Sequence, residues 1–347
     1  MRVAIGIGGP GGGQDGWKES VEFVREADRL GVWACWSAEA WGQDAVSPLA
    51  YLAAVTDNIR LGTGIMQISA RAPSMTAMTA LTMAALSNNR FILGLGASGP
   101  QVVEGLHGVR FAHPLGRLRE TIEIIRLAFA GDRIALEGEH FTLPLPGGEG
   151  KALRLSIPGN ENIPIYLATL SPRTLELTGE VADGWVGTSF IPEHADAFLP
   201  YMRAGAARAG RSLADVDLQA GGTVAFSDDV ERLIAARKSG LAFSLGAMGS
   251  EQHNFYNAAY QRAGWTETCL EVQRLWLDGK RDEAARRVPD EMVLQTNLLG
   301  TDDMVRDRLR AYQAAGITTL RVAPTGRSLG ERVDTLARTI DLVNDLV

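Results

Sequence analysis

The chain has 347 residues, of which 46% are apolar and 22% charged, and its formal net charge is -7. That length suits a decorated α/β barrel, and the composition is that of a globular protein with a large core. An acidic balance with scattered Lys and Arg excludes a surface built to neutralise phosphates, so neither nucleic acid nor a membrane is an expected partner.

The elements alternate from the first residues. Val3 to Gly8 reads as a strand, and Trp17 to Leu30 as a helix with apolar Val21, Phe23, Val24, Ala27 and Leu30 on one face. Val32 to Ala38 is a second strand, followed by a helix from Pro48 to Val55. Ile59 to Met66 is a third strand, and Gln67 to Arg71 a polar link. Pro73 then opens a helix that ends at Ser87-Asn88-Asn89. Arg90 to Gly94 is the fourth strand, running into Gly94-Leu95-Gly96-Ala97-Ser98-Gly99. Further along, Arg117 to Ala130 reads as a helix and Ile163 to Ala168 as a strand. Pro172 to Val181 is a helix, Gly184 to Thr188 a strand, and Ala195 to Ala207 a helix. Val216 to Phe226 and Ile317 to Ala323 complete eight strands, and Arg332 to Leu346 closes the chain.

Eight strands separated by helices predict an α/β fold, a (β/α)8 TIM barrel spanning 1–347 as a single domain. Two segments interrupt it. Gly131 to Asn162, rich in Gly and Pro, reads as an insertion after the fourth βα unit, with β-like pieces at Ile134–Leu136 and Leu153–Leu155. Asp228 to Leu299 reads as a helical excursion before the last strand. It is long enough to cap the barrel mouth or to form an oligomer face.

Cys35 and Cys269 have no metal-ligand spacing and suggest a reducing compartment. The N-terminal MRVAIGIGG lacks a signal-peptide core, and no run approaches membrane length, so cytoplasmic residence is expected. No metal site is expected. None of His107, His113, His140, His194 and His253 stands in a nucleophile or metal arrangement. His107 and His113 follow strand four, near the expected mouth, and His253 could descend from the excursion.

Two G-x-G-x-x-G strings, Gly6-Gly8-Gly11 and Gly94-Gly96-Gly99, each follow a strand. They raise a dinucleotide-binding fold, with Glu39 as its ribose acid. The spacing counts against it. Gly12 to Gly16 separate the first string from its helix, and the second meets Pro100 and a short helical stretch before Gly105. These glycines instead let backbone approach a flat cofactor at the strand ends.

Other segments carry a more specific pattern. Strand two ends Trp36-Ser37-Ala38-Glu39, and strand three runs Thr63-Gly64-Ile65 to Arg71-Ala72-Pro73. Strand five ends Ala168-Thr169-Leu170-Ser171-Pro172-Arg173, and Ala182-Asp183-Gly184-Trp185 announces strand six. Leu299-Gly300-Thr301 opens a late helix. In this order the chain resembles the luciferase-like monooxygenase superfamily, in its branch that uses the deazaflavin coenzyme F420. The resemblance implies a coenzyme F420-dependent oxidoreductase acting on a small-molecule substrate by hydride transfer, and a homo-oligomer, a dimer, is expected. A flavin mononucleotide (FMN) monooxygenase and a non-catalytic cofactor-binding relative are the alternatives.

The same resemblance implies a deazaflavin ring across the C-terminal mouth and a cis peptide at Gly64–Ile65. Gly64, Ile65, Gln67, Gly96, Ala97, Ser98 and Gly99 would border the cofactor. Ala168, Thr169, Leu170 and Ser171 offer free N–H groups and little bulk for its phosphate, and Arg173 adds charge. Glu39, closing an apolar strand, should reach the mouth as a candidate proton donor or as a structural acid paired with Arg71. Trp41 and His107 are the candidate substrate-pocket residues. The family's sugar-phosphate dehydrogenases place a histidine after the strand-two acid and a glutamate after the strand-four turn. Ala40 and Gly99 stand there instead, so sugar-phosphate oxidation is not expected.

Overall fold

The computed structural model describes residues 1–8, 13–250 and 253–346. Its eight staves are β1 (Arg2–Ile7), β2 (Ala34–Ser37), β3 (Arg60–Thr63), β4 (Phe91–Gly96), β5 (Ile165–Leu167), β6 (Gly184–Val186), β7 (Asp217–Ala220) and β8 (Thr319–Pro324). All are parallel, each pairs with the next in sequence, and β8 pairs with β1, Val3 opposite Leu320. The sheet is therefore a closed barrel, as the alternation predicted. Gly11 lies outside the described residues, and with it the completion of the first glycine string.

Packing follows from strand alternation. On β1, Val3 and Ile5 point outward into the main core, while Ala4 points into the lumen. The lumen is filled by Ala4, Ala34, Trp36, Ile92, Tyr166 and Val186. Trp36 and Tyr166 lie with ring centroids 5.6 Å apart. Below them, the Tyr166 hydroxyl donates to Asp217 at 2.9 Å, and Asp217 pairs with Arg2 at 2.7 Å. The Arg2 guanidinium covers the Trp33 ring, 4.1 Å from its centroid. These contacts plug the N-terminal end of the barrel and leave the C-terminal mouth for a site.

The helices α1 (Gly13–Arg29), α2 (Val46–Ala53), α3 (Pro73–Leu86), α4 (Pro100–Val103), α5 (Pro114–Phe129), α6 (Pro172–Val181) and α7 (Leu199–Arg208) follow the early staves. α2 begins two residues before Pro48, because the Asp44 carboxylate accepts the N–H groups of Val46 and Ser47, each at 2.8 Å. The predicted helix near Ala195 is instead a 3-10 turn (Pro192–Ala197) followed by α7.

The two interruptions are present, with changed details. In the insertion, Leu136–Glu137 pairs antiparallel with Thr142–Leu143, and Leu153 lies outside any strand. The reason is Glu120 on α5. Its carboxylate accepts the N–H groups of Glu139 (2.9 Å), His140 (3.0 Å) and Phe141 (2.8 Å), which fixes the tight turn between those residues. The excursion contains α8 (Val230–Gly246), α9 (Phe255–Tyr260), a π-turn (Gln261–Trp265), α10 (Thr266–Leu277), α11 (Arg281–Arg287) and α12 (Asp290–Thr296). Buried Asn257 ties it together by donating to Leu245 O and Cys269 O, each at 2.9 Å. The final helices are α13 (Asp302–Ala314) and α14 (Leu329–Asn344). Strand seven is broken at Gly221-Gly222. Its second half, Thr223–Phe226, pairs with Leu298–Gly300. Among the described residues no helix is long and apolar enough to cross a membrane.

Candidate active site at the C-terminal mouth

Strand three does not run unbroken to Met66. The Gly64–Ile65 peptide is cis, and the chain resumes as a two-residue strand, Met66–Gln67, beside the end of β4. Thr63 occupies the break. Its hydroxyl donates to Gly94 O at 2.8 Å and accepts from Gly94 N–H at 2.9 Å, so both buried groups stay paired where the ladder opens. This contact requires glycine at 94, since a Cβ there would lie 1.8 Å from Thr63 O. At Gly96 a Cβ would lie 3.0 Å from the Ile65 side chain. The glycines of β4 thus accommodate the bulge of strand three. Gly99 differs, because a Cβ there would meet nothing within 4 Å.

Glu39 clamps the bulge. One carboxylate oxygen accepts Gln67 N–H at 3.0 Å and the Arg71 guanidinium at 2.6 Å, and the other accepts Ala45 N–H at 3.2 Å. Its own N–H donates to Ile65 O at 3.2 Å. One acid therefore joins the ends of strands two and three and the start of α2.

Above the bulge lies a cavity of about 410 Å³. Ala38, Glu39, Gly64 and Ile65 wall one side, and Ala97 to Gly99 with Ala168 to Ser171 wall the other. Hydroxyls gather at one end, where Ser171 and Thr174 lie 2.8 Å apart and Ser98 faces the same space. Ser171 is the N-cap of α6 and its side chain makes no capping bond to the backbone, so first-turn N–H groups remain for an anion. The roof comes from the excursion, through Met248, His253, Phe255 and Tyr256. Gln101 ties roof to wall, its side-chain amide donating to Gly249 O at 3.0 Å. Burial raises the Tyr256 pKa, and Arg321 nearby partly offsets it. Burial also pushes the thiols up, Cys269 to about 12 and Cys35 higher still, so neither is a nucleophile at neutral pH. Among the described residues no cluster of His, Cys, Asp and Glu could hold a metal ion.

The family model for luciferase-like monooxygenases matches residues 3–319. The chain belongs to the luciferase-like monooxygenase family. A Mycobacterium tuberculosis (strain H37Rv) protein provisionally named a coenzyme F420-dependent oxidoreductase is 41% identical over 310 residues, covering 87% of this chain and 89% of its own. Two solved structures share the fold. The F420-dependent tetrahydromethanopterin reductase of Methanopyrus kandleri has a TM-score of 0.79 at 22% identity, covering 97% of each chain. An F420-dependent secondary alcohol dehydrogenase, solved with an F420-acetone adduct, has a TM-score of 0.75 at 16% identity, covering 99% of each.

Within this luciferase-like barrel, most of the expected site residues meet at one cavity. Glu39, Trp41, Gly64, Ile65, Ala97, Ser98, Gly99 and Ala168 to Ser171 all line it. Trp41 stands at the rim, 62% exposed. Four expectations need correction. Gln67 and Gly96 lie behind the wall, one held by the Glu39 clamp and the other under Ile65. His107 is exposed beyond the cavity, its Nε2 2.7 Å from the Gln67 side-chain amide, because the α4 turn carries it past the rim. Arg173 lies on the exposed face of α6. Arg262 is nearer the anion end, donating to Leu170 O from the π-turn. Sequence reasoning missed Phe111, Thr174 and Met248. From the excursion the sequence offered His253, which lines the roof.

Proposed function

We propose that this chain is a coenzyme F420-dependent oxidoreductase that moves a hydride to or from a small organic substrate. The observation that carries this reading is the 41% likeness, along nearly the whole chain, to the mycobacterial protein of that name. The cavity agrees in size and chemistry, being about 410 Å³ with largely apolar walls and the Ser98, Ser171 and Thr174 hydroxyls grouped at one end. The open space at Gly99 and the uncapped start of α6 suit a flat ring joined to a phosphate.

When bound, a deazaflavin supplies two-electron hydride chemistry, leaving positioning and water exclusion to the protein. Gly64 and Ile65 form the wall against one side of the ring. Ser98, Ser171 and Thr174, with the first N–H groups of α6, hold the phosphate. Phe111, Met248 and Tyr256 cover the site and keep water out. Glu39 acts as a positioning residue, because its oxygens already accept three protein hydrogen bonds. Trp41 closes the rim over the substrate. A single domain, a homodimer and cytoplasmic residence belong to the same proposal.

The test is turnover under anaerobic conditions. Protein loaded with coenzyme F420 is offered alcohols, aldehydes and activated alkenes while the cofactor fluorescence is followed. Oxygen-independent change in cofactor redox state with one of these substrates supports the reading. Turnover that requires oxygen and reduced FMN would replace it with the monooxygenase reading.

A further inference from the structure

A second cavity of about 480 Å³ occupies the other half of the mouth, against the ends of β1, β6, β7 and β8 and beneath α8. Its distinctive residue is Arg321. Leu320 and Val322 point outward into the main core, so alternation along β8 turns Thr319 and Arg321 toward the lumen. Among the described residues Arg321 has a single acceptor, Gly187 O at 2.9 Å. Desolvation lowers its pKa, and among the described residues Tyr256 partly offsets this. Among the described residues no Asp or Glu lines the cavity, and the other charged residue there is Arg237 on α8. A cationic hollow in a chain of net charge -7 is selective for anions.

The floor beside the guanidinium is kept bare. A Cβ on Gly221 would lie 2.1 Å from Arg321 O, and one on Gly222 would lie 2.2 Å from Thr296 O. The break in strand seven therefore brings backbone against backbone here and leaves no side chain to cover Arg321. Arg321 is half-buried with one acceptor, so N–H groups of its guanidinium remain open to the cavity, and their planar fork matches two oxygens of one anion. Tyr256 links the halves of the mouth, since it lines the first cavity and neighbours Arg321 in the second.

We propose that Arg321 anchors an oxyanion of the substrate, a carboxylate or a phosphate, in this second cavity. The rest of the substrate then extends past Tyr256 toward the first cavity. This inference rests on the oxidoreductase reading for the word substrate, while the anion site rests on geometry alone.

The probes are cinnamate and its neutral isostere cinnamamide, titrated by calorimetry into F420-loaded and cofactor-free protein. Cinnamate should bind at least tenfold tighter than cinnamamide. Arg321→Gln should erase that difference while leaving cinnamamide and coenzyme F420 affinity unchanged. Arg321→Lys, which keeps the charge without the fork, should lose part of it. Ser239→Asp, where α8 lines the cavity, should weaken cinnamate with no change in thermal midpoint, and serves if the Gln variant does not fold. Competition by inorganic phosphate distinguishes a phosphate-bearing from a carboxylate-bearing substrate, and Arg321 dependence of either supports the site. Equal binding of acid and amide would overturn it. So would an Arg321→Gln variant that loses coenzyme F420 and keeps cinnamate, since the guanidinium would then serve an acidic cofactor tail. If coenzyme F420 does not bind, the cofactor reading fails, and the acid-to-amide ratio on cofactor-free protein still decides the anion site.

Discussion

Replacing Glu39 separates a clamp from a proton donor. Its carboxylate is 7% exposed and pairs with Arg71, which is 22% exposed. Glu39→Ala would strand the N–H groups of Gln67 and Ala45, which belong to residues 2% and 0% exposed. Each unpaired buried group costs about 1–3 kcal/mol, and breaking a buried ion pair costs about 3–5 kcal/mol. Arg71 can turn partly to water and water can enter the vacated space, so a loss of about 3 kcal/mol is expected. Glu39→Gln keeps one acceptor oxygen and should lose about half as much, about 1.5 kcal/mol. Urea unfolding measures both. Coenzyme F420 affinity should fall with stability, because Ile65 O and Gln67 N–H set the wall. Turnover per cofactor-loaded molecule should stay within about threefold, which is far less than the loss when a catalytic acid is removed. A Gln variant with an unchanged urea midpoint and turnover down by about 10²-fold would refute the clamp and make Glu39 the proton donor.

Gly94→Ala places a Cβ 1.8 Å from Thr63 O. It should destabilise the barrel by about 3 kcal/mol in thermal unfolding, at the upper end for overpacking, whereas a change within about 0.5 kcal/mol would deny the close approach. Glu120 carries an acid sensitivity of known sign. Burial alone would raise its pKa, but the N–H groups of His140, Phe141 and Glu139 outweigh burial and hold it below 4.5. The folded value lies below the unfolded one, so this stabilisation is complete above 4.5 and is lost as pH falls through the lower folded value. Urea midpoints of wild type and Glu120→Gln, compared from about pH 7 to about pH 3, should converge only at the acid end. A difference independent of pH would contradict this.

The barrel was legible because eight strands and their helices obey simple periodicities. The site was legible where the chain spends unusual residues in a row, as at Thr63-Gly64-Ile65 and Ala97-Ser98-Gly99. What the sequence hides is contact between distant segments. Nothing near Gly94 announces that it lies beneath Thr63, and in the sequence the β4 glycines read as room for a flat cofactor rather than for the bulge of strand three. His107 was misplaced for the same reason, since its position depends on where the short α4 turn ends. Arg321 is one of many scattered arginines in the sequence, and only closure of β8 onto β1 and β7 turns it into the mouth. The roof was the least legible part, because Met248 and Phe255 reach the cavity through the Asn257 bonds that fold the excursion back.

The most direct test of the central claim is an equilibrium titration of the purified, cofactor-free protein with coenzyme F420 and with FMN, followed by fluorescence. The open end at Gly99 and the hydroxyl and N–H cradle of Ser171 and Thr174 favour a flat ring with a phosphate-linked tail. The account predicts saturable binding of coenzyme F420 at least about tenfold tighter than FMN, about 1.4 kcal/mol. Preferential binding of FMN would contradict it.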